Sequence, residues 1–132
     1  MRKVTIQQVY ADLRDALDLS LLTALPGEEV ELPSKDVHRP GMALMGFTEN
    51  FLPNRVQVMG ESEVAYLDSL PPEGQEAAFA RLLDLKTAAV VITRSLPVPA
   101  SLLALARARG VPVFHSSLPT VDFIDELSHH LA

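Results

Sequence analysis

An α/β fold, with a mostly parallel sheet covered on both sides, is predicted for this chain by three observations. Apolar runs of strand length alternate with helical patterns from Val56 to the C-terminus. One of those runs, Ala88-Ala89-Val90-Val91-Ile92, is apolar at consecutive positions, so both its faces must be covered, as in a central parallel strand. The order strand, helix, strand, helix, strand, helix implies crossover connections, which are right-handed when they join parallel strands.

Each element has its own signal. Ile6, Val9, Tyr10, Leu13 and Leu17 recur at helical spacing, and Thr5 stands where an N-cap belongs. Ser20 to Leu25 and Val30 to Leu32 are short apolar runs split by Pro26-Gly27, a pair suited to a type II turn because glycine accepts positive φ there. The two runs are expected to pair with each other. After Pro53, Val56 to Met59 forms a strand that ends at Gly60. Ser62 to Leu70 is helical, and Pro71-Pro72 ends that helix while starting another, whose Phe79, Leu82 and Leu83 share one face.

A helix over Pro97 to Arg109 turns Leu102, Leu105 and Ala106 inward, with Gly110 at the position of a left-handed C-cap. Val111 to Phe114 is the next strand, and Pro112 places it at an end or an edge. Thr120 to Leu131 closes the chain as a helix with Ile124, Leu127 and Leu131 facing the core and His129-His130 in its last turn.

Length and composition fit one domain. A chain of 132 residues with 48% hydrophobic content can bury about two-thirds of its unfolded surface and fold alone. No apolar run nears the roughly 20 residues that span a bilayer, and the first residues lead into an amphipathic segment rather than a secretory one, so a cytoplasmic location is expected. The lack of cysteine removes disulfides and thiolate metal sites together. A formal charge of −6 argues against a nucleic-acid surface, which needs clustered Lys and Arg.

The most informative segment is Asp36-Val37-His38-Arg39-Pro40-Gly41-Met42, continued through Gly46-Phe47 to Arg55-Val56-Gln57-Val58-Met59-Gly60 with Glu63, Tyr66 and Leu67 beyond it. Pro40 locks φ and biases Arg39 towards extended backbone, and Gly41 admits a turn or a close approach. The segment reads as a loop entering a short helix faced by Met42, Leu44 and Met45.

In order and spacing these blocks resemble the N-terminal domain of bacterial HPr kinase/phosphorylase, from about Val4 to Leu131, including a strand ending Ile92-Thr93-Arg94. Val37 and Met42 replace the commoner Ile and Leu, and Ala65 stands where a polar residue is usual. The resemblance implies a single domain over residues 1–132, a small three-layer Rossmann-like unit similar to muramyl-peptide ligase N-terminal domains, where such a unit contacts a uridine nucleotide. It also implies a parent enzyme that uses ATP and Mg²⁺, phosphorylates and dephosphorylates a serine of HPr in carbon catabolite control, and assembles as a hexamer.

The resemblance puts that chemistry in a C-terminal P-loop kinase domain which this chain does not include. The spacing Gly41 to Gly46 runs on into Phe47-Thr48 with no lysine for the phosphates, so it gives no nucleotide site. Expected partners are therefore the kinase domain, neighbouring copies in a homo-oligomer, and HPr through the parent enzyme.

Candidate ligand or interface residues come from two places. In the motif they are His38, Arg39, Pro40, Gly41, Arg55, Gln57, Gly60 and Glu63; a duller reading pairs Arg39 and Arg55 with Asp36 and Glu63 in a network that only holds the loop. His38 is the motif's one group that titrates near neutrality, though a lone exposed His is usually just solvated. At the C-terminal edge of the sheet, Gly60-Glu61, Thr93-Arg94 and His115-Ser116-Ser117 gather where an anionic or sugar-phosphate ligand fits. There the duller reading has Arg94 capping a helix or pairing with an acid, and His115 finishing a strand.

No catalytic or metal set is read. His129 and His130 are adjacent on a helix and point apart, and the serines near His115 lack a nucleophile elbow. Three function classes follow: a regulatory and assembly domain of a two-domain protein kinase, a free-standing ligand- or protein-binding module, and an enzyme complete in 132 residues, of which the first is preferred.

Overall fold

The computed structural model describes residues 4–32 and 55–131. The motif residues Asp36, His38, Arg39, Pro40 and Gly41 lie outside the described residues. Among the described residues eleven elements follow in order: β1 (Val4–Thr5), α1 (Ile6–Leu13), β2 (Leu19–Leu21), β3 (Glu31–Leu32), β4 (Val56–Met59), α2 (Glu61–Asp68), α3 (Pro72–Asp84), β5 (Ala89–Ile92), α4 (Ala100–Arg109), β6 (Val113–Ser116) and α5 (Thr120–Leu131). The expected α/β class is what forms.

The main sheet has the order β2-β6-β5-β4. β4, β5 and β6 run parallel, while β2 joins the edge antiparallel to β6. β5 lies inside, and all four of its residues are buried. Side chains alternate across the sheet with period two. Val56, Val58, Ala89, Val91 and Phe114 pack with Ile6 and Val9 of α1 and Phe123 and Leu127 of α5. Met59, Val90, Ile92 and Val113 pack on the other face with Leu67 of α2, Phe79 and Leu82 of α3, and Leu102 and Ala106 of α4. Three layers result.

Helix ends follow local chemistry. Thr5 caps α1 reciprocally: Gln8 N–H donates to Thr5 Oγ1 and Thr5 N–H donates to Gln8 Oε1, both at 3.1 Å. Pro72 takes the first position of α3. Gly110, at φ 69° and ψ 26°, ends α4 in the left-handed form its missing side chain permits.

Three expectations need correcting. The runs around Pro26-Gly27 do form strands but do not pair: β2 bonds β6, and β3 pairs with β1, Val4 opposite Leu32. Gln7 explains how the intervening loop is held without a strand partner. Its Nε2 donates to the carbonyls of Glu28 (2.8 Å) and Pro26 (3.3 Å), and its Oε1 accepts from Val30 N–H (3.2 Å). Gly27 does not use positive φ, so no type II turn forms there.

Pro112 marks a strand end, one of the two placements expected for it. It precedes β6, which sits between β2 and β5, and its carbonyl accepts from Val90 N–H at 3.0 Å. Finally, α4 starts at Ala100 rather than Pro97, because Pro99 holds Val98 away from helical geometry and itself becomes the N-cap.

Candidate functional site

Strand β5 ends in an uncommon way. Arg94 (φ 57°) and Ser95 (φ 51°) are consecutive non-glycine residues in the left-handed region. Leu96 N–H donates back to the Thr93 carbonyl at 3.1 Å, closing a tight turn. Left-handed backbone costs an L-residue roughly 1–2 kcal/mol, so surrounding contacts must hold it. They come from the β6–α5 connection: Arg94 N–H donates to Leu118 O (2.9 Å) and Ser95 N–H to Ser116 O (3.0 Å). His115 Nε2 lies 2.9 Å from Leu96 O, and since a carbonyl only accepts, this nitrogen carries the hydrogen.

Parallel pairing of Met59 with Ile92 brings the ends of β4 and β5 together. Thr93, fully buried, donates its backbone N–H (3.1 Å) and its hydroxyl (3.2 Å) to Met59 O. Its Oγ1 lies 2.7 Å from Thr120 Oγ1 at the start of α5. With the Thr93 proton spent on Met59 O, Thr120 is the donor of that pair. Gly60 N–H then donates to Glu63 Oε1 at 2.8 Å, so the buried Glu63 holds the start of α2 from inside its own first turn.

Above this floor lies a recess of about 180 Å³ lined by Glu61, Ser62, Arg94 and Thr120. Arg94 Nε donates to Glu61 Oε1 at 2.9 Å. The side chains are 47% and 64% exposed, so the pair contributes no more than about 1 kcal/mol. A carboxylate thus already faces the arginine, as the duller reading expected.

The structure therefore brings Gly60, Glu61, Thr93 and Arg94 to one corner. It does not bring the His115-Ser116-Ser117 side chains to the recess. His115 turns to Leu96, Ser116 Oγ donates to Leu17 O at 2.6 Å, and Ser117 Oγ bonds Asp18. Ser62 and Thr120 line the recess and were not among the candidates; a threonine opening the helix after the last strand was the available signal. Arg55 is half-buried ahead of β4, and its carbonyl accepts from Ala88 N–H at 3.1 Å.

Gln57 is fully buried, and neither Oε1 nor Nε2 has a hydrogen-bond partner among the described residues. Each such orphaned group costs roughly 1–3 kcal/mol.

Among the described residues no three or more His, Asp or Glu come together as a metal site, and no helix is long and apolar enough to cross a membrane. His130 Nε2 lies 3.2 Å from Glu126 Oε1, one turn earlier, as a half-exposed surface pair.

Fold and corner together define a Rossmann-like α/β domain whose polar groups collect at the C-terminal edge of a mostly parallel sheet. A regulatory region of Clostridium perfringens pyrophosphatase, its CBS and DRTGG domains solved with the activator diadenosine tetraphosphate, shares the fold. The TM-score is 0.65 at 14% identity, covering 92% of this chain and 46% of that one.

Sequence comparison gives the family. The model of the HPr Serine kinase N terminus matches residues 4–131. An HPr kinase/phosphorylase of Prosthecochloris aestuarii is 33% identical over 95% of this chain, and one of Listeria monocytogenes serotype 4a is 32% identical over 91%. This chain belongs to the HPr kinase/phosphorylase N-terminal domain family. It spans 39% of the length of the first relative and 38% of the second.

Proposed function

We propose that this chain is the regulatory and assembly domain of an HPr kinase/phosphorylase. The parent enzyme would phosphorylate and dephosphorylate a serine of HPr in the control of carbon metabolism, in the cytoplasm, with ATP and Mg²⁺ handled by a separate domain. The observation that carries this reading is the family match over residues 4–131 of a chain spanning 39% of its relative. Its partners are then the kinase domain, neighbouring copies of itself and, through the whole enzyme, HPr.

The residues present do not fit an ATP and Mg²⁺ site. The Gly41 to Gly46 spacing continues into Phe47-Thr48, so a phenylalanine stands where the lysine that would reach the phosphates belongs. No phosphoryl-transfer step runs through this chain's own residues. What the fold supplies instead is a buried scaffold: a central strand buried at all four positions, with a corner hydrogen-bonded through Thr93, Thr120 and Glu63.

A second reading is a stand-alone, non-catalytic binding module, supported by the occurrence of the same fold in a pyrophosphatase regulatory region. A graft separates the two. This chain replaces the matching N-terminal part of the Prosthecochloris aestuarii relative, and sedimentation and HPr phosphorylation of the chimera are measured. Retained assembly with retained kinase activity supports the first reading. A well-folded chimera that no longer assembles supports the second.

A further inference from the structure

The Arg94–Glu61 pair does not by itself account for the turn that carries it. Arg94 and Ser95 are consecutive non-glycine residues at φ 57° and 51°, and two such residues cost more than an exposed ion pair returns. Backbone strain of this kind collects where a side chain has to be presented. Here the side chain presented is Arg94, on the recess it lines with Glu61, Ser62 and Thr120.

The recess has donors to spare. Of the guanidinium only Nε is engaged, by Glu61 Oε1 at 2.9 Å, and its Nη groups meet no acceptor among the described residues. Ser62 is exposed at the second position of α2, and its hydroxyl is likewise unbonded among the described residues. The N–H groups of Glu61 and Ser62 stand in the first turn of α2, ahead of any carbonyl of that helix that could accept them. Thr120 supplies a wall, its hydroxyl turned to Thr93.

This balance selects the ligand. A cation would face the guanidinium, so the free groups call for an anion. A carboxylate brings two oxygens and would only duplicate Glu61. A phosphoryl group brings three, enough for the arginine fork, the hydroxyl and an amide together. The volume of about 180 Å³ admits it, and the 47% exposure of Arg94 leaves its fourth substituent towards solvent.

We propose that this recess binds the phosphoryl group of a small phosphate monoester or of inorganic phosphate, with Arg94 as its bidentate partner. Glu61 and the phosphoryl group compete for one guanidinium, so ligand binding displaces the Glu61 carboxylate. The site does not depend on the HPr kinase reading, since every group in it belongs to this chain.

Titrating the nitrogen-15-labelled chain with methyl phosphate and with inorganic phosphate, at ionic strength held constant with sodium chloride, tests this. Saturable shifts are expected at the amides of Glu61 and Ser62 and at Arg94 Nε–H. Arg94→Gln should weaken binding by about tenfold or more, through loss of charge-assisted hydrogen bonds. Glu61→Gln should tighten it roughly threefold, because the competing charge is gone; an ion pair with no ligand role predicts no such gain. Tighter methyl phosphate assigns a monoester, and equal or tighter inorganic phosphate assigns the free ion; both support the site. The proposal is overturned if these three residues show no saturable shift, if Arg94→Gln binds as the wild type does, or if Glu61→Gln binds no more tightly. Should either variant lose the wild-type spectrum, the wild-type titration decides alone.

Discussion

Thr93→Val is the sharpest probe of the corner that joins β4, β5 and α5. The substitution keeps volume and β-branching but deletes one hydroxyl at a fully buried position. Two hydrogen bonds go with it, to Met59 O at 3.2 Å and from Thr120 at 2.7 Å. The Met59 carbonyl keeps Thr93 N–H, so it is not orphaned. The Thr120 hydroxyl, at 7% exposure, loses its acceptor.

A net hydrogen bond contributes about 0.5–1.5 kcal/mol and an orphaned buried hydroxyl costs about 1–3 kcal/mol, so a loss of roughly 2–3 kcal/mol is expected. Thr120→Val alone should cost less, about 1 kcal/mol, because Thr93 keeps its bond to Met59. In the double variant no hydroxyl is stranded, so the two costs should not add. A coupling of about 1 kcal/mol is expected from urea unfolding at unchanged m-value. Strictly additive costs, or a loss for Thr93→Val below about 0.5 kcal/mol, would refute the shared network.

Two further predictions concern the backbone. Ser95→Gly relieves a residue held at φ 51° and should raise the melting temperature by a few degrees, by roughly 0.5–1 kcal/mol once the greater unfolded-state freedom of glycine is counted; a lower melting temperature would show that Ser95 is not strained. Gly110→Ala has open space for its Cβ but sits at φ 69°, so it should destabilise by about 1 kcal/mol in thermal or urea unfolding, through conformation rather than clash.

Much of the fold was legible because its signals are local. Five consecutive apolar residues at Ala88 to Ile92 had to be a covered strand, and β5 is flanked on both sides. Thr5, Pro72 and Gly110 each mark a helix end through their own backbone chemistry. The partners of β2 and β3 were hidden because their pairing is long-range: Leu19 meets Ser116 across nearly the whole chain, and the long-range bonds of Gln7 stand in for the hairpin that proximity suggested.

The candidate corner was half legible. Strand order places Gly60 beside Thr93, so any parallel reading gathers them. The left-handed turn at Arg94-Ser95 was invisible, since neither residue is the Gly or Asn that announces such backbone. That turn aims Arg94 at Glu61, and its hydrogen bonds draw His115 to Leu96 instead of to the recess. Gln57 was chosen from the motif, yet its burial comes from the β4 register and the helices above, which no single window of sequence contains.

On the proposed reading, this domain holds or informs a catalytic partner and transfers no phosphate itself. Incubating the purified chain with HPr, ATP and Mg²⁺ and measuring phosphoserine on HPr tests it most directly. No signal above the buffer control is predicted. Phosphoserine that accumulates over repeated turnovers, and scales with the amount of this chain, would show that the chain carries catalytic machinery of its own.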